Sequence, residues 1–194
     1  MTNVTDTICV SLLERMRGTE QMPGLSVLDH GILVADHFRD LEAHVRHGTP
    51  LRNEWKLPEW VRDPRLWARL PSAEILERYQ VFHDCGKPFC LVVGEDGRRH
   101  FPDHAKVSRE TWLALGECPE VGELIGMDMD VHLLKDEGVA AFAKRPQAAA
   151  LLLTGLSEVH ANAGLFGGVE STSFKIKYKH LDRRGKAILA QWAS

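Results

Sequence analysis

Between Ser26 and His47 the apolar residues Val27, Ile32, Leu33, Ala35, Phe38 and Leu41 recur at nearly helical spacing, which predicts a helix over 27–47 with one inward face. Ser26 stands where an N-cap belongs, and Asp29, three residues on, completes a capping box. Periodicity and end signals predict further helices over residues 10–17, 73–84, 103–115, 119–127, 131–134, 139–143 and 147–163. Ile75, Leu76, Tyr79 and Phe82 mark the inward face of the helix over 73–84, behind a Ser72 cap. The run 148–153 is apolar all round and suits burial on several sides.

Strand signals are sparse. Residues 89–93, a Gly94-Glu95-Asp96-Gly97 turn and residues 98–101 predict one short hairpin, while Met22-Pro23-Gly24 predicts only a turn. Residues 48–71 hold four prolines with Trp55, Trp60 and Trp67. They predict a loop with short helical turns, whose tryptophans pack it to the body or offer a base a stacking surface. The tail 171–192 is basic, and the alternation of Lys175, Lys177 and Lys179 fits an extended edge for a phosphate backbone or a solvated surface, with 185–192 again helical. The expected fold class is all-α with a small β-hairpin flap, as one domain of 194 residues.

Bulk composition adds exclusions. A net charge of -3 with 44% hydrophobic and 26% charged residues gives no overall drive towards nucleic acid or membrane, so any polyanion needs a local basic site. The first six residues lack a basic-then-apolar leader and no apolar stretch spans a bilayer, so a cytoplasmic protein is expected. Cys9, Cys85, Cys90 and Cys118 form no C-x-x-C pair and read as idle thiols. Ten histidines are the more informative enrichment, since imidazole is the commonest metal ligand. His30, His37 and His44 lie seven apart on one helix, but ligands usually converge from different elements, which argues against His37 and His44.

The chemistry concentrates in Tyr79-Gln80-Val81-Phe82-His83-Asp84-Cys85-Gly86-Lys87. His83 and Asp84 project about 100° apart on a helix, yet near its end both can reach one cation. Gly86-Lys87-Pro88 then allows a sharp turn and places an ammonium where a metal-bound phosphate would meet it. A helical His30, the pair His83-Asp84, and then His104 and His132 resemble the HD superfamily of metal-dependent phosphohydrolases, over roughly residues 26–163. The resemblance implies an HD-domain helical bundle and metal ligands His30, His83, Asp84, His104 and His132. The family's final Asp is absent from the helix over 147–163, where Glu158 is the candidate and His160 the fallback. Asp128 and Asp130 compete with His132 as ligands or orient it. One or two Mn, Co, Ni, Fe or Zn ions suit such mixed His/carboxylate donors.

The expected activity is phosphate-ester hydrolysis by metal-activated water, with Asp84 and Lys87 in catalytic roles and Lys87, Lys175 and Lys177 contacting substrate. The segments 83–90, 97–105 and 166–175 look like the HD phosphatase modules found with polynucleotide kinases in bacterial RNA end repair. That narrower likeness implies 2′,3′-cyclic or terminal RNA phosphates, or nucleotides, as substrates. A kinase phosphate-binding loop is lacking, so a separate kinase or ligase would act beside the chain. A (deoxy)nucleotide phosphohydrolase and a non-catalytic HD-like nucleic-acid-binding module remain the alternatives.

Overall fold

The computed structural model describes the backbone of residues 4–193 and the side chains of residues 10–193, so residues 1–3 and 194 and the side chain of Cys9 lie outside the described residues. The order is α1 (Val4–Gly18), β1 (Glu20–Met22), β2 (Leu25–Ser26), α2 (Val27–His47), α3 (Pro64–Trp67), α4 (Ala73–Phe82), α5 (Lys87–Cys90), β3 (Val92–Val93) and β4 (Arg99–His100), followed by α6 (His104–Ala114), α7 (Pro119–Gly126), α8 (Asp130–Leu133), α9 (Val139–Ala143), α10 (Ala148–Ala161) and α11 (Thr172–Trp192). The molecule is mostly helical, with two small antiparallel hairpins, β1–β2 and β3–β4. No described helix is long and apolar enough to cross a membrane.

Contacts group the chain into two compact units. Residues up to Leu33 join Glu74–Met127, and Val34–Ala73 join the residues from Asp128 onward. In the first unit, α6 packs on α7 and on α5, while α1 meets α5 and β2. Helix α2 starts where the capping box places it: the Ser26 hydroxyl accepts the Asp29 N–H at 3.0 Å and donates to the Asp29 carboxylate at 2.7 Å. The β1–β2 hairpin was not foreseen, because three- and two-residue strands carry too little alternation to stand out. Residues 89–90 likewise fall in the turn of α5 rather than in a strand, since Pro88 sits in its opening positions, where proline favours a helical turn.

In the second unit, α11 packs on α9 and α10, and α10 also meets α8. The run 148–153 is fully buried, as its all-round apolarity required. The tail is not an extended edge. Ser171 Oγ accepts the Phe174 N–H at 3.2 Å and caps a helix of 21 residues, whose Phe174, Leu181 and Ile188 are buried at seven-residue spacing. Lys175 and Lys179 therefore share a face that Lys177 leaves.

The proline-rich loop over 48–71 is tied down mainly by one carboxylate. Asp40 accepts the backbone N–H groups of Arg52 and Asn53 at 2.9 and 3.0 Å, the Asn53 amide at 3.1 Å and the Trp55 indole at 3.0 Å. Burial alone would raise its pKa, but these donors hold it below the usual carboxylate range. Trp60 donates to Asp182 at 3.1 Å and Trp67 to the Val61 carbonyl at 2.6 Å, so all three tryptophans serve as anchors. Replacing Asp40 with Ala strands four donors and is expected to cost about 3 kcal/mol, read as a lower urea midpoint at unchanged slope. A midpoint equal to that of the parent would contradict this role.

Candidate metal centre

Three elements of the first unit bring their polar groups to Asp84. Helix α2 contributes His30, the turn after α4 contributes His83 and Asp84, and α6 opens with His104. Two glycines allow the approach. A Cβ on Gly31, beside His30, would overlap the Val81 carbonyl of α4, and one on Gly86 would overlap the Ser108 backbone of α6. Gly86 also donates its N–H to Ser108 Oγ at 2.9 Å, which seats the Asp84–Lys87 turn on α6. Asp103, at φ 52°, takes the left-handed conformation that aspartate tolerates and starts α6 at His104.

His30, His83 and Asp84 are all buried, and one ligand atom from each lies within 4.8 Å of the others, so this group can hold a metal ion. Asp84 Oδ2 is 3.1 Å from His83 Nε2 and 3.8 Å from His30 Nε2, and its Oδ1 is 3.8 Å from His104 Nε2. The imidazoles of His30 and His83 meet edge to face at 5.2 Å.

The hydrogen bonds on the far sides of the rings decide what these contacts mean. His83 Nδ1 lies 2.8 Å from the Gln80 carbonyl and His104 Nδ1 lies 3.1 Å from the Phe101 carbonyl. A carbonyl only accepts, so each Nδ1 carries a proton, and each ring turns its Nε2 towards Asp84. A lone pair 3.1 Å from a carboxylate oxygen is repulsive unless a proton or a cation lies between them. Cis ligands of a divalent ion with bonds of about 2.1 Å stand about 3.0 Å apart, so the His83–Asp84 spacing fits the cation. Backbone carbonyls fixing the distal ring nitrogen are also the usual supports of metal-bound histidine. The donor set of two imidazoles and a carboxylate suits a borderline transition metal.

Lys87 is the fourth partner. Its Nζ donates to Asp84 Oδ2 at 2.6 Å and sits 5.2 Å from the centre of the Phe101 ring, within a buried side chain. Burial would raise the Asp84 pKa, but the charges of His83, Lys87 and His30 hold it well below the usual range.

The remaining expected ligands belong to the second unit. His132 Nε2 lies 3.0 Å from Glu158 Oε2, and Gly155, one turn before Glu158, leaves room for the His132 ring. Burial opposes charge on His132, but Glu158 and Asp128 raise its pKa above the ordinary value. Asp130 instead pairs with Arg145. The fallback, His160, has both ring nitrogens committed: Nδ1 donates to the Leu156 carbonyl at 2.8 Å, and Nε2 accepts the Lys56 N–H at 3.1 Å. Its ring lies 4.3 Å from that of Trp55 and 5.1 Å from that of Phe174, so His160 is a pin for the loop and not a ligand. His44, whose Nδ1 meets the Thr49 carbonyl at 2.9 Å, and His37, beside Trp55, act in the same loop region. Lys175 pairs with Glu170 at 2.7 Å, whereas Lys177 covers the Phe166 ring. The residue that sequence reasoning missed is Gly31, and the signal was there: a mid-helix glycine costs about 1 kcal/mol and asks for a close-approach reason.

Burial holds the His160 pKa down at about 4, against 6.5 for a free imidazole. The unfolded chain then binds more protons between those values, so the stabilisation is complete above about pH 6.5 and is lost as the pH falls towards 4. His160→Gln is expected to flatten the stability slope across that window by up to about 3 kcal/mol, followed by urea unfolding at successive pH values; parallel slopes in parent and variant would contradict it. No family model matches the chain, and comparisons with curated proteins and with solved structures likewise gave no match.

Proposed function

We propose that the chain is a metal-dependent phosphohydrolase of the HD type, an all-helical HD-domain bundle acting on nucleotides or on the 2′,3′-cyclic or terminal phosphates of RNA. The observation that carries the reading is the buried His30, His83 and Asp84 group, in which His83 Nε2 faces Asp84 at 3.1 Å while Nδ1 is committed to the Gln80 carbonyl. His30, His83 and Asp84 would hold one ion, with His104 reaching the other oxygen of Asp84 for a second. When bound, the ion supplies Lewis acidity and a hydroxide nucleophile near neutral pH.

The chain's own groups do the rest. The Gln80 and Phe101 carbonyls fix the tautomers of His83 and His104, so no reorientation is needed when ligands bind. Lys87 keeps Asp84 ionised and, 2.6 Å away, is the ammonium that would neutralise a phosphoryl oxygen beside it. The RNA-end substrates, and a separate kinase or ligase partner, rest on the motif segments 83–90, 97–105 and 166–175.

One feature favours a second reading. The buried Lys87–Asp84 pair already supplies a counter-ion, as a non-catalytic HD-like module without metal would require. Turnover separates the two. With manganese or cobalt, on 2′,3′-cyclic nucleotides, a generic aryl phosphate and deoxynucleotides, His83→Ala and Asp84→Ala are expected to lose about 100-fold or more in kcat/KM, and Lys87→Ala about tenfold, mainly in kcat. Equal turnover by parent and variants would sink the enzymatic reading.

A further inference from the structure

A second polar cluster lies wholly in the second unit. A cavity of about 360 Å3, within the roughly 300–1,000 Å3 typical of small-molecule sites, is lined by Lys177, His180 and Arg184 on α11 and by His132, Glu158 and Asn162 across from them. The three basic residues recur at i, i+3 and i+7, which puts them on one face of the helix.

What distinguishes these cations is their pairing. Elsewhere on α11, Lys175 pairs with Glu170 at 2.7 Å, Arg183 with Asp136 at 3.4 Å and Lys186 with Asp182 at 2.7 Å. Lys177 and Arg184, the two that line the cavity, form no ion pair with any described residue. Arg184 is nonetheless held in place, since its Nε donates to the Leu134 carbonyl at 2.9 Å. The carboxylate of Glu158 is occupied by His132, whose Nε2 lies 3.0 Å away. The cavity wall thus carries two cations without an ion-pair partner among the described residues, beside the one carboxylate of Glu158. Asn162 Oδ1 is buried and accepts no hydrogen bond from a described residue, which calls for a donor from outside. Phe166, under the Lys177 ammonium at 5.1 Å, adds a flat apolar surface.

We infer that this cavity binds a small phosphate monoester carrying a ring and hydrogen-bond donors, of the nucleoside monophosphate type, with its phosphate on Lys177, Arg184 and His180 and its ring near Phe166. A dianion answers the two cations, and a ligand N–H or O–H group answers Asn162. The assignment goes beyond the metal reading, because it needs no ion and none of His30, His83 or Asp84.

The test is calorimetric titration of the full chain, stripped of metal by chelation, with AMP, GMP, CMP and UMP, and with adenosine and inorganic phosphate as fragments. At least one monophosphate is expected to bind about tenfold more tightly than either fragment. Lys177→Ala and Arg184→Gln are expected to weaken it about tenfold each, while Lys175→Ala and His83→Ala leave it unchanged. Circular-dichroism melts check that the variants fold; should Arg184→Gln be unstable, Lys177→Ala decides. No saturable binding of any monophosphate, binding no tighter than that of phosphate alone, or equal weakening by Lys175→Ala would overturn the inference. Loss of binding in His83→Ala would overturn it too, since the ligand would then sit on the metal group.

Discussion

A carboxylate left 2% exposed, as Asp84 is, costs several kcal/mol to keep ionised unless positive charge or donors surround it. The architecture of the first unit answers that cost. The Ser26–Asp29 box starts α2 so that His30 falls one turn in, Gly31 lets α2 approach α4, and Gly86 seats the turn that carries Asp84 and Lys87 on α6. Lys87 supplies one positive charge at 2.6 Å. His83 and His104, each held at Nδ1 by a backbone carbonyl, turn their Nε2 atoms to the same carboxylate. His30, His83 and Asp84 together form a buried cluster that can hold a metal ion.

The polar groups of the second unit show what full internal compensation looks like. Asp40 is as buried as Asp84, but four donors from the 48–71 loop satisfy it. His160 is neutral, with a donor and an acceptor each matched. Neither arrangement leaves anything for a ligand, and both are structural. The Lys177 and Arg184 side chains differ in the same way from their paired neighbours on α11.

Much of the helical fold was legible because its signals are local. The capping box, the inward stripe of α2 and the apolar run of α10 each act within one element. Of the two readings of the tail, the solvated surface holds, with Lys175, Lys177 and Lys179 exposed, and the extended edge fails for an instructive reason. Lys175, Lys177 and Lys179 alternate, but the apolar spacing Phe174, Leu181, Ile188 behind a Ser171 cap carries the helix, and buried contacts outweigh the pattern of exposed charges. For the site, His83, Asp84 and His30 were readable as a set, yet convergence is tertiary. Nothing local shows that Lys56 and Trp55, about a hundred residues earlier, claim the His160 ring, or that Glu158 pairs with His132.

Metal content is the most direct measure of this account. Elemental analysis of the purified chain, after dialysis against manganese and removal of free ion, is predicted to find at least one divalent transition metal per chain in the parent and a small fraction of that in folded His83→Ala and Asp84→Ala variants. A metal-free parent, or equal loading of parent and variants, would contradict it.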